Sequence, residues 1–210
     1  MKTSNSSLWV EKYRPQSIED VIAPEKTSKY LLDQITKGEI QNMLFYGTAG
    51  IGKTSAARAL VKDLGGEELY INGSLDTSIE VVRDRVLSFA TTHSCMMGGQ
   101  KIVVIDECEK MTHAQDALKV VLEQTESNCR FIFCTNNLQK IIDPLHSRCK
   151  LVSFNYGADM TRDIMLQYFK RLQKILENEG YEVTKEDKAS TQANTKQLKR
   201  ELHHGPRRLS

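Results

Sequence analysis

The sequence predicts an α/β fold: a parallel sheet with helix-covered faces, followed by a smaller segment that is helical only. Three observations carry that expectation. Short apolar runs alternate with longer stretches of helical spacing, a glycine-rich loop lies between one such run and an amphipathic stretch, and from about Gly157 only helical spacing remains. Composition sets the bounds. The chain has 210 residues, 40% hydrophobic and 27% charged, and its 29 basic and 27 acidic side chains leave a formal charge of +2. Such a length accommodates one sizeable core and a small appendage. No apolar run approaches the roughly 18 residues that a membrane-spanning helix needs, and Met1 to Ser7 lacks the apolar stretch of a signal peptide. A cytoplasmic protein with no membrane partner is expected.

Taken in order, the runs Met43 to Tyr46, Leu69 to Ile71, Ile102 to Ile105 and Phe131 to Cys134 read as strands buried on both faces. Helices fall between them over Lys53 to Leu64, over Ser78 to Ala90 (apolar at Ile79, Val82, Val86 and Phe89) and over Thr112 to Gln124 (Ala114, Ala117, Leu118, Val121). That alternation makes the sheet parallel. A fifth strand, Leu151 to Phe154, follows a turn region containing Pro144 and ends the sheet. Ile164, Met165, Tyr168, Phe169, Leu172, Ile175 and Leu176 then share one face of a long helix, which places the domains at 1–156 and 157–210. Thr184 to Thr195 offers only Ala189 and Ala193 as apolar anchors, so a frayed helix is the most expected there. Residues 1–160 carry 18 basic and 20 acidic groups and 161–210 carry 11 and 7, which reads as a solvated, basic helical face. The cysteines, Cys95, Cys108, Cys129, Cys134 and Cys149, contain no CxxC pair and read as reduced, mostly buried thiols.

The strongest chemical signal is Gly47-Thr48-Ala49-Gly50-Ile51-Gly52-Lys53-Thr54, a GxxxxGK[ST] loop between a buried strand and an amphipathic helix. Glycines let backbone N–H groups curl around phosphate oxygens, and the helix N-terminus adds positive potential. Lys53 would reach the β and γ phosphates, and Thr54 offers its hydroxyl to Mg²⁺. A second acidic site must help hold that metal. Lys101 to Glu107 supplies it, four apolar residues running into Asp106 on the metal side and Glu107, which could polarise a water for attack on the γ phosphate. The next strand runs out at Asn136-Asn137, where an amide could bridge water and γ phosphate or could simply form a turn. Arg148, after Pro144, reads on its own as a surface residue.

With these residues in view, the chain resembles an AAA+ P-loop NTPase of the sliding-clamp loader group, most closely the large ATPase subunit of the phage type. The match rests on Trp9-Val10-Glu11-Lys12-Tyr13-Arg14-Pro15, the phosphate loop, Ile105-Asp106-Glu107, Met111-Thr112-x-Ala114-Gln115-x-Ala117-Leu118, and the segment from Asn136 through Pro144 to Ser147-Arg148-Cys149. It covers residues 8–154. The resemblance implies that Tyr13, Arg14, Val21 and Ile22 line the adenine side of an ATP pocket, that Asn136 senses the γ phosphate, and that Arg148 is an arginine finger serving a neighbouring subunit's site. It also implies that Gln115 and Lys119 couple sites and respond to DNA, and that Thr77, Ser78, Arg83, Thr112 and His113 lie near primer–template phosphates. ATP and Mg²⁺ are the implied cofactors, and the implied partners are a sliding clamp, primer–template DNA and other loader subunits in a pentamer. The compartment would be the host cytoplasm if the source is viral.

Departures from the family pattern accompany these matches. Lys119 stands where the family has Arg, keeping the charge without the two-pronged donor geometry. Gly205-Pro206-Arg207-Arg208 places Arg208 at the spacing of a second, lid-borne arginine, the helical lid reads as incomplete, and no collar domain is expected before Ser210. Two other functions stay open: another AAA+ replication ATPase, such as a helicase loader or initiator, and a nucleotide-bound scaffold that does not turn over. The Glu-Lys-Tyr-Arg-Pro and Ser-Arg-Cys strings disfavour the first. The presence of Lys53 and Glu107 disfavours the second.

Overall fold

The computed structural model describes residues 12–75, 79–92, 99–112, 114–157 and 161–180. Five strands, β1 (Met43–Tyr46), β2 (Glu67–Asn72), β3 (Lys101–Asp106), β4 (Cys129–Thr135) and β5 (Lys150–Ser153), form one sheet in the order β2-β3-β4-β1-β5. Every neighbouring pair is parallel. One helix, α1 (Glu25–Lys37), precedes the sheet. Parallel neighbours cannot be joined by tight hairpins, so helices carry the crossovers: α2 (Lys53–Asp63), α3 (Ile79–Thr91), α4 (Gln115–Thr125) and α5 (Asp143–Arg148), with α6 (Thr161–Asn178) after the sheet. Met1–Gly157 and Ala158–Ser210 form separate compact units.

Alternation along the central strands explains why both faces are dry. Met43, Phe45, Ile102, Val104, Ile132 and Cys134 pack with Leu31 of α1 and with Ala56 and Leu60 of α2. Leu44, Val103, Ile105, Phe131 and Phe133 point the other way, onto Val82 and Val86 of α3, Leu118 and Val121 of α4 and Leu145 of α5. Fully burying each Val, Leu, Ile, Phe or Met among them contributes roughly 1.5–3 kcal/mol.

β2 departs from the expectation of burial on both faces, since within it only Ile71 is buried. It lies at the sheet edge with β3 as its single neighbour, and its Glu67 and Glu68 are the kind of charge that keeps an edge from pairing further. Two helices were not anticipated. α1 ends on Gly38, whose φ of +75° lets its N–H close on the Gln34 and Ile35 carbonyls. α5 occupies the expected turn region, and Pro144 suits its first turn, where a missing N–H loses no bond. α4 starts at Gln115 instead of Thr112, because a 3-10 turn over Cys108–Lys110 takes up the preceding chain.

In the second unit, α6 has Ile164 buried while Met165, Leu166, Tyr168 and Leu172 are exposed. The helix ends at Asn178, and Gly180 just beyond it has φ +81°. Among the described residues no helix is long and apolar enough to cross a membrane.

The register decides where chemistry can gather. Tyr46 lies level with Thr135 and Ser153, and Asn72 with Asp106. The loops after all five strands therefore leave from one edge of the sheet, the edge at which ligands of open parallel sheets collect.

Candidate nucleotide-binding site

The loop Gly47–Gly52 leaves β1 at that edge and runs into α2. A Cβ on Gly47 would lie 2.4 Å from Ile51 Cδ1 and 3.0 Å from Asn155 Oδ1. Gly50 and Gly52 have open space around them but φ values of +78° and +91°, so backbone conformation, not room, requires glycine there. Thr48, Ala49 and Gly50 are exposed, as residues of a loop that cradles phosphate would have to be. Lys53 is buried at 6% exposure, and its Nζ donates to the carbonyls of Gly47 (2.9 Å) and Thr48 (2.8 Å) and to Asn136 Oδ1 (2.8 Å). Burial pulls this ammonium below its ordinary pKa, against the opposing pull of the nearby Asp106 and Glu109 carboxylates.

One residue further, Thr54 Oγ1 donates to Asp106 Oδ2 at 2.8 Å, so the phosphate loop is already tied to the end of β3. The same carboxylate oxygen accepts from the Tyr70 hydroxyl at 3.2 Å, and Oδ1 accepts from the Glu107 N–H at 3.0 Å. The Tyr70 phenol is pushed up to about 12 by burial and by the Asp106 charge. Glu107 has φ +49°, and its carboxylate accepts from the hydroxyl of Ser74, two residues past the end of β2. Gly73 permits that approach, since a Cβ there would come within 2.7 Å of the Glu107 carbonyl. A Mg²⁺ ion fits this donor set: a hydroxyl and one carboxylate, with substrate phosphates completing the shell, is how such sites hold it. Among the described residues no cluster of three or more His, Cys, Asp or Glu forms a separate metal cage.

On the other side, Asn136 is held by Glu109, whose Oε1 accepts from its backbone N–H (3.3 Å) and its Nδ2 (3.0 Å). Asn155, past the end of β5, accepts from the Thr48 N–H at 3.2 Å. The next residue, Tyr156, donates its hydroxyl to the Ile22 carbonyl at 2.9 Å. Through these two residues the phosphate loop is linked to the Val21-Ile22 stretch, where Val21 is buried and Ile22 half-buried. Tyr13 and Arg14 are half-buried in the segment before it.

Lys53, Thr54, Asp106 and Asn136 are thus brought together by direct hydrogen bonds, with Glu107 and Thr48 bonded at their flanks. Arg148 is not among them. It is exposed on α5, donating to Glu123 Oε1 of α4 at 2.6 Å and to the Pro144 carbonyl at 3.0 Å. Gln115, expected to couple sites and respond to DNA, is buried at 1% exposure. Its Nε2 donates to the Cys108 (3.3 Å) and Lys140 (3.0 Å) carbonyls, and its Oε1 accepts from the Ile142 N–H (2.9 Å), so the amide is consumed in bracing the loops after β3 and β4. Lys119 is half-buried one turn along, and Thr112 is exposed. Arg83 is exposed and paired with its neighbour Asp84 at 3.4 Å. Thr77, Ser78, His113 and Arg208 lie outside the described residues.

Sequence reasoning missed Glu109, Tyr70, Ser74 and Asn155. Three of them shared a usable signal, since Glu109, Ser74 and Asn155 each fall within three residues after a strand end that the parallel pattern sends to one edge.

A model of the ATPase family associated with various cellular activities (AAA) matches residues 43–155. The chain is 37% identical over 185 residues to a replication factor C small subunit of Natronomonas pharaonis, covering 84% of this chain and 54% of that protein. It is 39% identical over 186 residues to replication factor C small subunit 1 of Pyrobaculum islandicum, covering 86% and 54%. The chain thus spans about half the length of these relatives. The Holliday junction branch migration motor RuvB of Thermotoga maritima superposes with a TM-score of 0.61 over 79% of this chain and 55% of its own, and at 19% identity this likeness concerns the fold alone.

Proposed function

The chain belongs to the AAA family of ATPases, and on that premise we propose that it is the ATP-binding and hydrolysing part of a sliding-clamp loader subunit. The observation that carries the ATPase reading is the bonded set Lys53–Asn136 and Thr54–Asp106, which joins the phosphate loop to the ends of β4 and β3. The replication factor C relatives support the clamp-loader reading. The Glu-Lys-Tyr-Arg-Pro and Ser-Arg-Cys strings favour a clamp loader over other P-loop proteins, and the large subunit of the phage type is the finer reading.

In this reading the N–H groups from Gly50 to Thr54 cradle the phosphates, and Lys53 exchanges its loop carbonyls for β and γ oxygens. Thr54 and Asp106 hold Mg²⁺, which when bound neutralises charge on those oxygens. Glu107 takes the proton of the attacking water, Asn136 orients that water and the γ phosphate, and Tyr13, Arg14, Val21 and Ile22 enclose the adenine. Arg148 leaves Glu123 to reach the γ phosphate of a neighbouring subunit, a contribution worth about 10³ to 10⁵ in rate for such residues. Residues 1–156 form the nucleotide-binding core and 157–210 a helical lid. Clamp, primer–template DNA and further loader subunits are the partners, assembled as a pentamer.

The test is the ATPase rate of the chain assembled with its loader partners, with and without clamp plus primed DNA. Joint stimulation is expected. A rate indifferent to both would leave a generic ATPase.

A further inference from the structure

Glu109 lies on the 3-10 turn Cys108–Lys110 that follows β3, and this turn aims its side chain across to the end of β4. At 5% exposure it is the single buried acid among the described residues. One oxygen accepts from the Asn136 backbone N–H and from one Nδ2 hydrogen, and the other, Oε2, is buried without a hydrogen-bond partner among the described residues. A half-satisfied buried carboxylate destabilises a fold, and an apolar side chain of similar size would pack there at lower cost. Its value must come from what it does to Asn136.

An asparagine amide is nearly symmetric in shape, so an exposed one turns over between two orientations with little penalty. Asn136 is exposed. A carboxylate beside its nitrogen removes the ambiguity, since the flipped amide would set oxygen lone pairs against a negative charge. The bond is charge-assisted and therefore stronger than one between neutral groups. Oδ1 is consequently turned to Lys53 Nζ at 2.8 Å, and the second Nδ2 hydrogen stays uncommitted to Glu109.

We propose that Glu109 is the positioning residue for Asn136, a buried carboxylate that holds the sensor amide in one orientation while Lys53 moves from it to the γ phosphate. Without the tether, the amide would follow Lys53 or turn over. With it, Oδ1 is released as an acceptor for a water proton and the free Nδ2 hydrogen remains a donor to the phosphate. The inference deepens the assignment of Asn136 as γ-phosphate sensor and rests on that reading.

A double-mutant cycle tests it. The readouts are the ratio of ADP to ATP dissociation constants for the full 210-residue chain with Mg²⁺, and turnover at saturating ATP. Asn136→Ala should cut both by roughly ten- to a hundredfold, the usual cost of losing an orienting partner at such a site. Glu109→Gln, which keeps the volume and loses the charge, should reproduce most of that loss, and the double variant should be no worse than Asn136→Ala alone. Glu109→Asp, drawn back by one methylene, should fall with Glu109→Gln and carries the test if the glutamine variant does not fold. Independent, multiplicative losses in the double variant, or wild-type ratios in Glu109→Gln beside a defective Asn136→Ala, would overturn the positioning role alone. An unaffected Asn136→Ala chain would remove the sensor reading and the inference with it.

Discussion

At Glu107 the backbone takes φ +49°, the one positive value outside glycine among the described residues. A side-chain-bearing residue there costs on the order of 1–2 kcal/mol, and the carboxylate is bonded by the Ser74 hydroxyl. Changing Glu107 to Gln keeps the side chain's size and removes the base proposed for the attacking water. Binding of a fluorescent ATP analogue should stay within a few-fold, while phosphate release stimulated by clamp and DNA should fall by about 10² or more; stimulated turnover at the wild-type level would sink the assignment. Lys53, Thr54, Asp106 and Glu107 could be read from the sequence because their spacing is fixed by one loop and one strand end. Glu109 could not, since an acid two places after Asp-Glu looks like a solvated turn until β4 is known to lie beside β3 and bring Asn136 within reach. Asn155 was hidden for the same reason, its partner Thr48 lying 107 positions earlier.

Among the elements, α4 shows how far pattern reading carries. Its apolar face, Leu118 and Val121 on the sheet, was legible from helical spacing. Its start was not, because Gln115 looks like a surface residue of the first turn and is instead a buried clip between the chain after β3 and the chain leading into α5. Replacing Gln115 by Ala leaves the Lys140 carbonyl and the Ile142 N–H without that partner, while the Cys108 carbonyl keeps the Met111 N–H. Stability to urea should fall by about 2–3 kcal/mol, and a loss of under about 0.5 kcal/mol would mean that water replaces the clip. The strands were the most legible elements, since Val, Ile and Phe runs of four to seven residues have few alternatives between two helix layers. β2 was over-read because its apolar centre, Leu69 to Ile71, says nothing about being at the edge.

For the whole molecule, the position of Arg148 matters more than its contacts. Its ion pair with Glu123 is exposed, and pairs of that kind contribute little, so the guanidinium is easily released to another acceptor. If it serves a neighbour, mixing Arg148→Ala chains with chains carrying Lys53→Ala should restore hydrolysis in one order of subunits only, measured in loaders assembled from tagged subunits. Equal loss in both orders would refute a finger acting in trans. The sheet order has a further consequence, for how the molecule comes into being. β1 finds its two neighbours late, Met43 pairing with Ile132 and with Lys150. Contacts so distant along the chain form slowly, because a long loop must close first. A nascent polypeptide halted before β4 has glycines of the right kind and nothing to seat them on, so the capacity to recognise a triphosphate arrives late in synthesis and all at once.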